Sequence, residues 1–413
     1  MEKIMEILEK YNQKKLIYML NSFSQDEKKN IENQLKSIDL DNISNLYNST
    51  KQKSNIEAQD ITPIDYIDKA KLNDTQFKQY KEIGENIIKN NNYAVVTMAG
   101  GQGTRLGHNG PKGTFKVTVN GEEKYLFQII AENLQDANNK YNVTIPWYIM
   151  VSSENENQTK DFLKQNNYFG YPENCVKFFV QGNLPLLDTN GELIINKDKT
   201  IKEASDGNGS IYYSMKKNGI IEDMKNKNIK WVFVGGVDNI LLKIVDPVLT
   251  GITIAQNNQI ASKSVVKKDP KERVGVFCKI NGKPGIIEYT ELPEQMAEKR
   301  DENGELYFGE VNILGHLFST NALNDLADIK LPYHVAFKKS NYMDINQNFV
   351  EVTEPNAYKF ESFIFDGFKN YENMSILRVK REEEFAPIKN ATGKDSPETA
   401  IKLYEEAKKN ICK

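Results

Sequence analysis

In 413 residues the sequence holds only 3 cysteines and 3 histidines, and its net charge is −3. Cys175, Cys278 and Cys412 lie far apart, leave one over in any pairing and form no C-x-x-C pair. Neither a disulfide framework nor a cysteine metal or redox centre is expected, and reduced thiols in a cytoplasmic protein are. So small a net charge offers no basic field for nucleic acid, so any phosphate site must be local and the partner a small molecule. The amino-terminal stretch MEKIMEILEKYNQKKLIYML carries charges every few residues and no unbroken apolar run, which speaks against a signal peptide or membrane span. Internal repeats and low-complexity tracts are missing, and no glycine occurs from Met1 to Tyr80.

What is present suits a globular protein larger than one ordinary domain: 39% hydrophobic residues and 10% aromatics can furnish a core. The glycine-free start has apolar residues at helical spacing (Ile4, Ile7, Leu8, Tyr11) and a capping-box pair, Ser24 and Glu27, and reads as a helical N-terminal subdomain over 1–87. Over 88–354, short β-branched runs such as YAVVTM, IPWYIMV, VKFFV and WVFVGG alternate with amphipathic stretches such as EKYLFQIIAENL and QTKDFLKQNN. That alternation predicts an α/β domain around a mostly parallel, mixed central sheet. Asn190-Gly191 between PLLD and ELII predicts a hairpin. A short C-terminal segment, 355–413, ends in a helix with Ser396 as N-cap and Pro397 in its first turn.

The stretch VVTMAGGQGTRLGHNGPKGTF, Val95 to Phe115, is the most informative. It follows a buried-looking strand, so it lies at the carboxyl end of that strand, where open α/β sheets bind ligands. Its six glycines free backbone N–H groups to close on an anion, and Arg105 and Lys112 add full positive charge, so phosphate is the expected guest. The dinucleotide fingerprint does not fit: the glycine spacing is one residue longer, and Gly110-Pro111 disfavours the helix that should follow. A Walker A loop does not fit either, because Lys112 lies between proline and glycine.

AGGQGTRLG followed by PKG resembles the signature loop of the UDP-sugar pyrophosphorylases, in particular the branch acting on N-acetylglucosamine 1-phosphate. VQGNLPLLD, DGNGSIYYSM, VDNILLKIVDP, VGVFCKINGKPGIIEYTEL, VNILGHLF, LPYHVAFKK, KFESFIFD and REEEFAPIKNA are similar to that family's blocks and stand in its order, covering about Ile88 to Thr399. The resemblance implies a Rossmann-like, GT-A-like nucleotidyltransferase fold. It also implies transfer of a uridylyl group from UTP to a sugar 1-phosphate, releasing pyrophosphate, with Mg²⁺ required and Mn²⁺ as a substitute. Catalysis of such a transfer rests on positioning and charge neutralisation.

Carried over residue by residue, the resemblance implies that Met98, Ala99, Gly100 and Gly101 hold UTP, with Arg105 on the departing pyrophosphate and Lys112 at the α-phosphate. Gln181 and Gly207 match uracil contacts, Asp238 a metal and UTP ligand, and Lys359 a further UTP contact. Asn208, Gly275, Glu288, Tyr289, Asn312 and Lys389 match contacts to the sugar phosphate, with Gly275 leaving room for an acetamido group. The three histidines lack metal-ligand spacing and read as structural, His316 in VNILGH being the one best placed to line the pocket.

The AGGQGT form of the loop favours N-acetylglucosamine 1-phosphate; glucose-specific relatives carry an NGGLGT-like loop, and glucose or broad sugar specificity is the alternative. A nicotinamide-dependent oxidoreductase lacks its fingerprint here, and a catalytically dead sensor would not need Arg105, Lys112, Asp238 and Lys389 together. The chain stops about two dozen residues after Lys389, where larger family members continue into a β-domain, so a monomer is expected.

Overall fold

The computed structural model describes residues 2–51 and 60–411, and Cys412 falls outside them. The chain gathers into two compact units, each built from separated stretches. The smaller takes Met1–Glu57, Gly182–Ser210 and Leu331–Phe363; the larger takes Ala58–Gln181, Ile211–Lys330 and Ile364–Lys413. This differs from a division into the consecutive segments 1–87, 88–354 and 355–413. The helix Asp74–Lys89 belongs to the larger unit because its backbone touches a neighbouring helix, where a Cβ on Gly84 would stand 1.9 Å from the Pro247 carbonyl oxygen.

The smaller unit begins with the helices Glu2–Lys10, Lys14–Leu20, Gln25–Ser37 and Leu40–Ser49. Ser24 and Glu27 form the expected capping box. Leu8, Leu16 and Ile31 from these helices share a core with Leu187, Leu193 and Phe360. A three-stranded sheet joins His334–Lys338, Ala357–Glu361 and Leu187–Asp188, and the expected turn at Asn190-Gly191 closes with the Asp188 amide donating to Glu192.

In the larger unit the elements that position the site are α1 (Asp74–Lys89), β1 (Tyr93–Met98), α2 (Leu126–Tyr141), β2 (Trp147–Val151), β3 (Val176–Val180), β4 (Trp231–Gly236), α3 (Pro247–Ala255), β5 (Ile260–Val266), β6 (Val276–Ile280), β7 (Lys283–Ile287), β8 (Glu310–Ser319) and β9 (Ser375–Arg378). An 11-stranded mixed sheet runs β9-β5-β8-β4-β1-β2-β3 along its main path, and β6 joins β8 as a branch. β4, β1, β2 and β3 are mutually parallel, whereas β8 runs antiparallel to both β4 and β5. Every residue of β1 is buried, as a continuous apolar run requires when helices cover both faces of a parallel sheet.

Two pairings build the site. β1 and β4 lie in parallel register with Met98 opposite Gly236, so the glycine-rich loop and Asp238 leave the sheet side by side. Because β8 is antiparallel to β4, its early residue Asn312 comes to that same edge. The final helix, Pro397–Ile411, starts at Ser396, whose hydroxyl accepts from the Thr399 amide. Cys175 and Cys278 are free thiols, and no described helix is long and apolar enough to cross a membrane.

Candidate active site

The loop after β1 is locked by its own backbone. Gly103 N donates to Gly110 O at 2.9 Å, Lys112 N to Gly101 O at 3.0 Å and His108 N to Gly103 O at 3.1 Å. Thr114 Oγ1 donates to Pro111 O and so accepts from His108 Nε2–H at 2.7 Å, which gives His108 a structural task. Short 3₁₀ turns and the hairpin strand Lys116–Val119 follow instead of a helix, so the dinucleotide-binding geometry is not formed. Met98 is tied to the Asp238 loop through Val237 N at 3.2 Å, and Ala99 N donates to Met150 O at 2.8 Å.

Gly100 faces Gln181 at the end of β3. A Cβ at position 100 would stand 2.5 Å from Gln181 Oε1, so glycine is what lets the amide lie against the loop. Gly101 is exposed with open space about its missing side chain. Arg105 is exposed too, and among the described residues it makes no hydrogen bond or ion pair, leaving its guanidinium for a ligand.

Lys112 Nζ bonds Asp238 Oδ2 at 3.1 Å, both side chains being mostly covered. Burial pushes the Asp238 carboxyl up, but Lys112 and then Lys389 outweigh it and hold the carboxyl below its ordinary range, as an anion. Among the described residues no three His, Cys, Asp or Glu side chains group as a metal cage. Asp238 is thus a carboxylate flanked by the cations Lys112 and Lys389.

Gly275, Glu288 and Asn312 come together. Asn312 N donates to Gly275 O at 3.0 Å, and a Cβ on Gly275 would stand 2.9 Å from Glu288 Oε1. It would also stand 2.9 Å from Ile286 Cγ2, so protein atoms fill the space beside Gly275. A side chain at position 275 would therefore meet Glu288 and Ile286 first. Tyr289, next in the chain, is 45% exposed and available to a ligand. Asn312 Oδ1 accepts from Leu314 N at 2.9 Å, and Leu314 takes the left-handed conformation, φ +57, rare for leucine.

Gly207, Asn208 and Lys359 belong to the smaller unit. Gly207 has φ +92 and packs on the Ser362 backbone, which a Cβ would strike at 2.1 Å. Lys359 Nζ is bonded to Glu361 at 2.7 Å. His316 does not line a pocket: it is fully buried, its Nδ1 meets Ser262 Oγ at 2.6 Å, and Phe318 and Phe368 pack on its ring. Two buried asparagines to which the sequence assigned no role support the site. Asn155 Nδ2 donates to Ala99 O at 3.0 Å, and Asn239 joins the Asp238 turn to the segment before Lys389. Asn239 stands in the quoted VDNILLKIVDP block, whereas no quoted block contains Asn155.

Residues 37–394 match the family model described as UTP–glucose-1-phosphate uridylyltransferase. The UDP-N-acetylglucosamine pyrophosphorylase of Saccharomyces cerevisiae is 38% identical over 371 residues, covering 87% of this chain and 77% of the relative. UDP-N-acetylglucosamine diphosphorylase 2 of Arabidopsis thaliana is 33% identical, covering 96% and 82%. Among solved structures, the uridine diphosphate N-acetylglucosamine pyrophosphorylase of Trypanosoma brucei, in complex with an inhibitor, superposes with a TM-score of 0.81 at 26% identity, covering 97% of this chain and 84% of that one. The blocks quoted from the sequence, the mixed sheet and these likenesses agree, and the chain belongs to the UDP-sugar pyrophosphorylase family, on the branch with relatives named UDP-N-acetylglucosamine pyrophosphorylases.

Proposed function

We propose that the chain is a uridylyltransferase that converts UTP and N-acetylglucosamine 1-phosphate to UDP-N-acetylglucosamine and pyrophosphate. A phosphate oxygen of the sugar attacks the α-phosphorus of UTP. The bond from that phosphorus to the bridging oxygen of the β-phosphate breaks, and pyrophosphate leaves with the electron pair. The observation that carries this reading is the pairing of Lys112 with Asp238 at the edge where the glycine loop leaves the parallel strands, on a loop that also carries the exposed Arg105.

Lys112 offsets charge at the α-phosphate and Arg105 charge on the leaving pyrophosphate, in a site preorganised by the loop's backbone bonds. Met98, Ala99, Gly100 and Gly101 supply the wall against the nucleotide. Gln181 recognises the uracil; for Gly207 and Lys359, in the smaller unit, the resemblance alone supports a uracil and a UTP contact. Glu288, Tyr289 and Asn312 take the sugar beside Gly275, and Lys389 meets the sugar phosphate; for Asn208, in the smaller unit, the resemblance alone supports a sugar contact. Asp238 would hold Mg²⁺, or Mn²⁺ in its stead, and the ion would supply charge neutralisation between the two polyanions. The free thiols Cys175 and Cys278 support a cytoplasmic setting, and the proposed working form is a monomer acting on small molecules.

An assay of pyrophosphate release with UTP and a panel of sugar 1-phosphates tests this. Turnover should require nucleotide, sugar phosphate and divalent cation together, with N-acetylglucosamine 1-phosphate preferred. Binding without turnover would point to a sensor, and preference for glucose 1-phosphate to the glucose branch. Size-exclusion chromatography with light scattering tests the monomer.

A further inference from the structure

Lys389 and Asp238 are far apart in sequence, yet backbone hydrogen bonds bring the segment that ends at Lys389 to the Asp238 turn. The contacts that hold them near each other converge on Asn239. Its Nδ2 donates to Glu384 O at 2.8 Å, and its Oδ1 accepts from Ala386 N at 2.9 Å. Beside it Ile388 N donates to Asp238 O at 2.9 Å and Ile240 N to Ala386 O at 3.3 Å, so Asn239 and Pro387 form a short β-bridge. The amide is 8% exposed and uses both its donor and its acceptor on the segment leading into Lys389.

The far end of that segment is anchored independently. Glu384 Oε2 lies 2.6 Å from Nζ of Lys263, a lysine with no solvent exposure, and Lys263 also meets Asp246 at 2.9 Å. An ion cluster of this kind is costly to break when one partner is removed, so the Glu384 backbone is a fixed point. From it Asn239 sets the course of the next five residues.

We propose that Asn239 is a positioning residue: it fixes the Lys389 ammonium relative to Asp238, and so the sugar phosphate relative to the α-phosphate of UTP. The inference rests on the uridylyl-transfer reading and adds to it a residue that touches no substrate. An error of an ångström or so in placing reacting groups is enough to lower rates strongly. The carboxamide is the group that fits, since a shorter side chain would leave the Glu384 carbonyl and the Ala386 amide unpaired in the interior.

A double-mutant cycle on the full chain tests it. Asn239→Ala should lower kcat/KM for sugar 1-phosphate by roughly 10- to 100-fold. In a Lys389→Ala background the same change should cost about twofold or less, because coupled residues do not act additively. KM for sugar 1-phosphate should rise more than KM for UTP, whose loop is held by separate bonds. Should Asn239→Ala fail to fold, Asn239→Asp, which keeps the acceptor for Ala386 N and loses the donor, takes its place in the cycle. Equal losses in both backgrounds, or a fall in active fraction with both KM values unchanged, would overturn the inference. A Lys389→Ala variant with wild-type kinetics would overturn it too, while leaving the uridylyl-transfer reading, judged on wild-type turnover alone, intact.

Discussion

Lys112 Nζ and Asp238 Oδ2 lie 3.1 Å apart, joining a loop that follows one strand to the turn that follows its parallel neighbour. The carboxyl, pushed up by burial and down more strongly by Lys112 and Lys389, ends below its ordinary range. A carboxyl depressed in the folded state contributes stability that is present above the unfolded value and lost as pH falls through the folded one. Lys112→Met should therefore lower thermal stability most at neutral pH, and the gap from the wild type should narrow as the medium is acidified below about pH 4, the ordinary aspartate range. Melting curves across pH give the check, and a gap that is constant with pH would show that the pair is not ionic. Turnover should fall by roughly 10²-fold, the usual loss when one stabiliser of transition-state charge is removed.

Arg105→Ala separates catalysis from folding. The side chain is exposed and, among the described residues, without a hydrogen-bond or ion-pair partner, so the melting temperature should not move. Turnover should fall by roughly 10²-fold or more if the guanidinium meets the leaving pyrophosphate. Steady-state kinetics beside a thermal melt decide it: unchanged turnover makes Arg105 an ordinary surface arginine.

Gly100→Ala should act on the nucleotide. The new methyl would stand 2.5 Å from Gln181 Oε1 and must displace the amide. KM for UTP should rise by about 10-fold or more and preference for uridine over other bases should shrink, since base choice depends on leaving the wrong base's polar groups unpaired. Rates measured with UTP, CTP and ATP test this, and an unaltered base preference would detach Gln181 from the uracil.

His316 offers a prediction apart from substrates. Burial holds its imidazole down at about 3, so between the ordinary value near 6.5 and that figure the unfolded chain binds a proton the folded one does not. Stability should fall as pH drops through that window. His316→Gln should flatten the slope of melting temperature against pH there, and an unchanged slope would place the acid sensitivity elsewhere.

The site was legible where chemistry demands particular residue types in a row. Glycines with Arg105 and Lys112 after a buried strand suggest a phosphate loop, and the resemblance of the VDN block, more than its place after an apolar strand, singles out Asp238. The parallel strands were legible because runs such as YAVVTM are buried on both faces. What stayed hidden depends on pairing between distant segments. Asn239 is one polar residue among many until strand order brings residues 384–388 to it. His316 stood in a block shared with pocket residues, yet the antiparallel register of β8 turns it into a core of Phe318 and Phe368. The two-unit division escaped reading along the chain because each unit recruits three separate stretches.

Gly275 carries two readings that one substitution separates. Read as a residue that reserves space for an acetamido group, it predicts that Gly275→Ala harms N-acetylglucosamine 1-phosphate more than glucose 1-phosphate. The structure puts Glu288 Oε1 and Ile286 Cγ2 each 2.9 Å from where the new methyl would stand, so the substitution presses on the protein first. Ile286 lies in β7, paired with β6, and has little freedom to yield, which leaves the Glu288 carboxylate as the group that moves. If Glu288 binds hydroxyls that both sugars carry, kcat/KM should fall for both in parallel, by roughly 10-fold or more, as misplaced positioning groups usually cost. Glu288→Gln should reproduce that parallel loss without the steric push, and combining the two changes should cost less than the product of their separate effects. Kinetics with both sugar phosphates on the three variants test this. A loss confined to the N-acetylated sugar would show that the methyl reaches the ligand and that Glu288 holds its place.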